Sequence, residues 1–317
     1  MPEIKPFKIS IPQRDIDDLT ARIAHVRLPS ALPGDELQTG LPVSEVARLL
    51  DLWSQHDWRA TETRLNKIPQ FLAEIDGQDI HFFHVKSAHA GATPLMLIHG
   101  WPGSVLEFEH LIGPLTDPTK HGGSSEDAFD LVIPALPGFG FSTPLNSEGW
   151  TTTRIATVFA DLMNSLGYES YMVQGGDIGA GVAPEMGRVA LEHVIAVHVN
   201  GALGGFVSEV DEKQKAKLTP FEQDRLRRVG EFMQKEFGYI SLQSTRPGLV
   251  GEMLVDSPAA QFAWIYDKLQ AWSWPEEKPA AEILGSEFVF ANASLYWFTK
   301  SAGSAAYVGY AQQGLAG

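Results

Sequence analysis

Apolar residues along this chain fall into two rhythms. Some runs are short and nearly unbroken: Pro94-Leu-Met-Leu-Ile-His99, Phe129-Asp-Leu-Val-Ile-Pro-Ala-Leu136, Tyr171-Met-Val173 and Val194-Ile-Ala-Val-His-Val-Asn200. Such runs predict strands buried on both faces of a parallel sheet. Between them lie stretches with helical spacing, from Ser104 to about Leu115, from Thr152 to Leu166, and from Ala180 to about Ala190. Ahead of them, Phe71 to Ile75, the turn Asp76-Gly77 and Ile80 to Val85 form a hairpin pattern. Strands alternating with helices predict a mostly parallel α/β sheet with helices on both faces. Its chemistry belongs in the loops after Ile98, Leu136 and Gln174, at strand C-terminal ends.

The flanks read differently. In residues 1–70, Phe7-Lys-Ile-Ser-Ile11 alternates like a short strand. Helices are predicted over Asp15 to Val26 (Ile16, Leu19, Ile23, Val26) and Val43 to Trp58 (Val46, Leu49, Leu50, Trp53). Trp53 and Trp58 must pack on something larger, because so short a helical pair cannot bury them. After Gly201 the strand pattern stops. Pro220 to Phe237 is a charged amphipathic helix, Tyr239 to Gln243 and Leu249 to Leu254 follow, and helices cover Pro258 to Trp272 and Glu287 to Tyr296. These read as a helical layer over the strand ends, with Phe262, Trp264, Tyr266, Trp272 and Trp274 as its packing. The organisation expected is 1–70, a meander; 71–202, the sheet; and 203–317, the helical cap.

Composition narrows the partners. The 24 Lys and Arg against 39 Asp and Glu leave a net charge of −15, which argues against nucleic acid and anionic membrane surfaces. An uncharged small substrate fits better. The absence of cysteine excludes disulfides, thiol catalysis and cysteine-bound metals. No window approaches the roughly 18–20 apolar residues of a membrane span, and the first residues lack a signal-peptide core. A cytoplasmic protein with no cofactor and no metal is expected.

The stretch Tyr171-Met-Val-Gln-Gly-Gly-Asp-Ile-Gly-Ala180 carries the chemistry. Strand, sharp turn and helix, with glycines around the apex, form a nucleophile elbow with Asp in place of Ser. A carboxylate nucleophile forms an alkyl ester, which suits attack on an epoxide or a carbon–halogen bond. The alternative is that Asp177 only caps the following helix. His99 reads as a loop brace, His198 as a buried, satisfied strand residue, and Glu107 and Asp130 as solvated or capping groups.

His99-Gly-Trp-Pro-Gly-Ser104, Pro137-Gly-Phe-Gly-Phe-Ser142 and Gly175-Gly-Asp-Ile-Gly179, in this order, resemble the microsomal-type epoxide hydrolase family. Phe237-Gly-Tyr-Ile-Ser-Leu-Gln243 and Leu295-Tyr-Trp-Phe-Thr299 extend the resemblance over nearly the whole chain. It implies an α/β-hydrolase core with an N-terminal meander and a helical cap. It further implies Asp177 as nucleophile, the backbone N–H groups of Trp101 and Ile178 as oxyanion donors, and Tyr239 as a hydroxyl on the epoxide oxygen. Read without the family, Tyr239 is a packing residue. The family's second tyrosine falls on Gly309, and a local shift would bring Tyr310 into its place. The family's base histidine and its acidic partner lie beyond the cap, but no histidine follows His198 here. The expectation is therefore a truncated sheet lacking its last strands, an exposed apolar edge that favours homo-oligomers, and a protein alkylated by a small apolar epoxide without turnover by water. The rivals are a catalytically inactive homologue with a binding role and a haloalkane dehalogenase. The dehalogenase typically has Trp where this chain has Ile178.

Overall fold

The computed structural model describes residues 2–34, 39–201 and 211–312. The junction placed by sequence at 202/203 and the last five residues lie outside these. The chain opens with strand β1 (Ile4–Pro6) and helices α1 (Gln13–Ala24), α2 (Val43–Ser54) and α3 (Trp58–Leu65). The hairpin β2 (Gln70–Ile75) and β3 (Gln78–Val85) follows. Then come β4 (Thr93–Ile98), α4 (Glu109–Thr116), β5 (Phe129–Pro134), α5 (Thr152–Ser165), β6 (Tyr171–Gly176), α6 (Ile178–Val189) and β7 (Val194–Asn200). The remaining elements are helical: α7 (Glu212–Lys215), α8 (Pro220–Lys235), α9 (Gly238–Thr245), α10 (Pro247–Asp256), α11 (Pro258–Trp272), α12 (Ala280–Ile283), α13 (Ser286–Thr299) and α14 (Ala302–Ala311).

The seven strands form one sheet in the order β1-β2-β3-β5-β4-β6-β7. The first three join antiparallel and β3 pairs antiparallel with β5, whereas β5, β4, β6 and β7 run parallel. The chain steps from β4 out to β5, then returns past β4 to β6. Strand order reverses there, and ligands of open α/β sheets bind in the crevice this creates. Side chains alternate across the sheet because the strand period is two. Phe82, Met96, Ile98 and Val132 thus join Ile155, Phe159, Val182 and Met186 of α5 and α6 on one face. Phe83, Leu97, Leu131 and Ile133 join Trp58, Leu106, Phe108 and Leu295 on the other.

The tryptophan pair finds the larger partner it needs. Trp53 is buried against Phe262, and its indole N–H donates to Ser294 Oγ at 2.8 Å. Trp58 packs edge-on against Phe298. The helices after the sheet lie where the periodicity places them, with α7, α12 and α14 in addition. Residues 302–311 form a helix whose small face packs on α10. A Cβ added to Gly303 would stand 2.9 Å from the Cα of Gly251, so both positions must be glycine for the helices to touch.

Three expectations need correction. Phe7 to Ile11 is not a strand. Asn66 and Glu62 side chains take the Ile9 and Ile11 backbone groups that a ladder would use. The helix predicted over Val43 to Trp58 is two, because the Asp57 carboxylate accepts from the Ala60 N–H and starts α3 afresh. His198 is exposed, not buried. It stands on β7, which among the described residues pairs with β6 alone, and Ile195 (57%) of the same strand also meets solvent. Among the described residues no helix is long and apolar enough to cross a membrane.

Candidate active site

The elbow forms where β6 passes into α6. Asp177 has φ 52° and ψ −116°, one of three described non-glycine residues with positive φ. An L-residue held there is strained and persists only under surrounding constraint. Gly179 supplies one constraint. A Cβ on it would lie 2.2 Å from the Ile98 carbonyl oxygen, so only glycine lets the start of α6 press against the end of β4. Asp177 occupies the N-cap position of α6 yet makes no side-chain capping bond. Its Oδ1 instead accepts from the Trp101 N–H at 2.8 Å, and the Ile178 N–H also donates to the carboxylate. The capping alternative is therefore not the geometry the chain adopts.

The loop that presents the Trp101 N–H is fixed from three sides. Asn292 Nδ2–H donates to the Pro102 carbonyl and Tyr296 O–H to the Gly103 carbonyl, each at 2.8 Å, both from α13. His99 is the brace expected of it. The Leu136 N–H donates to Nε2 at 3.1 Å, which leaves Nδ1 protonated, 3.0 Å from the Gly100 carbonyl that accepts it. Burial holds His99 neutral, with its pKa lowered to about 4. The loop thus has three of its carbonyls occupied and the Trp101 N–H aimed at Asp177.

Above the carboxylate lies an aromatic layer. The Tyr239 ring stacks on Trp101 (4.7 Å between centroids, 17° between planes), and Trp272 stands edge-on to Trp101 and 5.4 Å from Tyr239. Burial, then the charges of Asp177 and Glu236, raise the Tyr239 phenol above its ordinary pKa, so it holds its proton at neutral pH. Lys268, paired with Glu236 and Asp267, lies over the same ring. Tyr239 also lines a cavity of about 690 Å³ between residues 27–29, residues 39–46 and helices α9 to α11, walled by Leu28, Met253, Leu254 and Trp264. That volume suits a small ligand. Beyond the packing assigned to them, Trp264 thus lines this cavity and Trp272 joins the aromatic layer, while Phe262 and Tyr266 are core.

Asp177 and Glu107 both meet solvent, although each sits deep among protein atoms. Burial raises the Asp177 pKa, partly offset by its two backbone donors. Glu107 is raised to about 8, by burial first and by the Asp177 charge second. Glu107 is exposed, as the solvated reading expects, and the Asp177 charge reaches it as well. No spacing in the chain links residues 107, 177, 292 and 296, so sequence reasoning missed Glu107, Asn292 and Tyr296. The structure brings together Asp177, Trp101, Ile178 and Tyr239, but it does not bring Tyr310 to them. Tyr310 lies on α14, 47% exposed, with its ring against Tyr307. The other acidic group, Asp130, accepts from the Ser87 N–H and the Tyr168 hydroxyl, away from the elbow. Among the described residues no cluster of three or more His, Asp or Glu could hold a metal ion.

A strand-turn-helix elbow at the reversal point of such a sheet defines the class as an α/β-hydrolase. Residues 93–286 match the model of the alpha/beta hydrolase fold, and residues 4–108 match that of the epoxide hydrolase N terminus. Epoxide hydrolase 1 of Oryctolagus cuniculus is 34% identical over 325 residues, covering 94% of this chain and 70% of that protein. The crystal structure of juvenile hormone epoxide hydrolase from the silkworm Bombyx mori superposes with a TM-score of 0.82 at 30% identity, over 99% of this chain and 76% of that one. The structure of Aspergillus niger epoxide hydrolase gives 0.82 at 33% identity, over 97% and 78%. The chain belongs to the epoxide hydrolase family.

Proposed function

We propose that this chain opens a small apolar epoxide through an ester on Asp177, with water as the second reactant. The observation that carries this is the Asp177 carboxylate, held at positive φ with no capping bond and gripped through Oδ1 by backbone N–H. With Oδ1 so held, Oδ2 is the oxygen free to attack a ring carbon. A carbon–oxygen bond forms to Oδ2, the ring C–O bond breaks, and the Tyr239 phenol protonates the alkoxide. A basic leaving oxygen needs such a donor at neutral pH, and a positioned acid is worth about 10²–10⁴ in rate. Oδ1 then becomes the ester carbonyl oxygen. The N–H groups of Trp101 and Ile178 already sit where negative charge grows when water attacks, and one such donor is worth about 10²–10³. The apolar walls of the neighbouring cavity suit a hydrocarbon substituent on the ring.

The test is the intact mass of the 317-residue chain after incubation with an excess of a small aryl or alkyl epoxide. A gain equal to one epoxide, mapped to the peptide holding Asp177 and absent in Asp177→Asn, is expected. Equal labelling of the Asn variant would refute the assignment.

A further inference from the structure

Tyr239 is the second residue of α9, a helix that Phe237 starts without a side-chain cap. The contacts that hold this corner come from α11. Trp264, Lys268 and Trp272 recur at intervals of four and so share one face of that helix. The Trp264 indole N–H donates to Gln243 Oε1 at 3.0 Å, and Gln243 lies one turn beyond Tyr239. Trp272 packs on the Tyr239 ring with 5.4 Å between centroids. Between these two, Lys268 Nζ stands over the Tyr239 ring, 5.9 Å from its centre, and donates to Glu236 Oε2 at 2.7 Å. Glu236 closes α8, three residues ahead of Tyr239. Lys268 also pairs with its neighbour Asp267 at 2.8 Å. The lysine side chain is only 13% exposed and that of Glu236 25%. An ion pair so far out of water is weak evidence for stability, because desolvation offsets much of the attraction. Its place against the phenol calls for another reason.

We infer that Lys268 is a positioning residue for the Tyr239 acid, set against the Glu236 carboxylate so that the phenol can give up its proton; this rests on the role proposed above for Tyr239. Ring opening moves the phenol proton to the alkoxide and leaves a phenolate beside Trp101 and α11. A nearby carboxylate opposes that negative charge. Two carboxylates act on the phenol, Asp177 and Glu236. Asp177 loses its charge in the same step, as its Oδ2 bonds the ring carbon. Glu236 keeps its charge throughout, and among the described residues Lys268 is the cation paired with it. The same ammonium lies over the ring, where a cation is drawn to the aromatic face, and more strongly once the ring bears a charge. The phenolate afterwards regains a proton from water.

The experiment follows the rate of adduct formation by intact mass in the full chain with a small aryl epoxide, and checks folding by circular dichroism. Lys268→Met keeps the reach of the side chain without its charge and should slow the adduct ~10-fold, the scale of a desolvated cation over an aromatic ring. Lys268→Gln replaces it should that variant not fold. Adding Glu236→Gln should recover most of the loss, because the carboxylate that Lys268 answers is then gone. In a Tyr239→Phe background the Lys268 substitution should cost less than ~2-fold, since a residue acting only through the phenol has nothing further to lose. A wild-type rate without the lysine, an equal loss with and without the Tyr239 hydroxyl, or no recovery on adding Glu236→Gln overturns the role of Lys268. Where Tyr239→Phe is itself slow, each of these leaves Tyr239 standing as the acid. A wild-type rate in Tyr239→Phe overturns that acid and this inference with it.

Discussion

Replacing Gly100 by alanine tests the geometry of the site most directly. The added Cβ would lie 2.3 Å from Asp177 Oδ1, 2.4 Å from its Cβ and 2.7 Å from its Cγ, against an ordinary contact of at least 3.4 Å. Something must therefore move by about 1 Å (3.4 − 2.3 = 1.1). The carboxylate has little room, because Gly179 pins the elbow against the Ile98 carbonyl. The loop has little either, because Asn292, Tyr296 and His99 hold it. A shift of this size at a reacting atom costs about 10²-fold, and losing the Trp101 donor costs about 10²–10³-fold. These overlap, so Gly100→Ala should form the epoxide adduct ~10²–10⁴-fold more slowly while remaining folded. The rate comes from the time course of intact mass, and folding from circular dichroism. Gly230→Ala is the control. It lies on α8 with nothing within 4 Å of an added Cβ, and should leave the rate alone while gaining up to about 1 kcal/mol of stability. A Gly100→Ala protein labelled within about threefold of wild type would refute the idea that this glycine makes room for the nucleophile.

Tyr239→Phe keeps the ring on Trp101 but removes the acid, so adduct formation should slow by about 10²–10⁴-fold with little change in thermal midpoint; an unchanged rate would mean that another group protonates the alkoxide. Stability should also fall in mild acid. His81 and His99 are fully buried, and burial lowers their pKa values to about 3 and about 4, from an ordinary 6.5. Below about pH 6.5 the unfolded chain takes protons that the folded chain refuses, so stability present at neutral pH is lost as pH falls toward 4 for His99 and 3 for His81. Each costs about 1.4 kcal/mol per pH unit in that window. In urea unfolding between about pH 7.5 and 5.5, His81→Gln should lose about 1.4 kcal/mol less stability in total than wild type, and an equal loss would contradict it.

Much of this protein is legible in the order of its residues. Unbroken apolar runs mark β4, β5, β6 and β7 because a strand covered on both faces has no polar side to display. The glycines around Asp177 mark the elbow because no other residue permits that approach of backbone to backbone. What the tertiary structure decides is whatever depends on distance between remote positions. Trp101 and Asp177 are 76 residues apart, yet they share a hydrogen bond because β4 and β6 are neighbours in register, Ile98 opposite Gly175. Asn292 and Tyr296 become the braces of the loop only because α13 crosses it. The exposure of His198 follows from β7 standing at the sheet edge, which a run of alternating Val and Ile cannot announce. Glu107 is the sharpest case. In the sequence it is one acid among 39 acidic residues. Its pKa is raised first by burial and then by the Asp177 charge, and only the fold supplies either. Local pattern reports which elements form, but the acidity of a side chain is set by neighbours that only folding assembles.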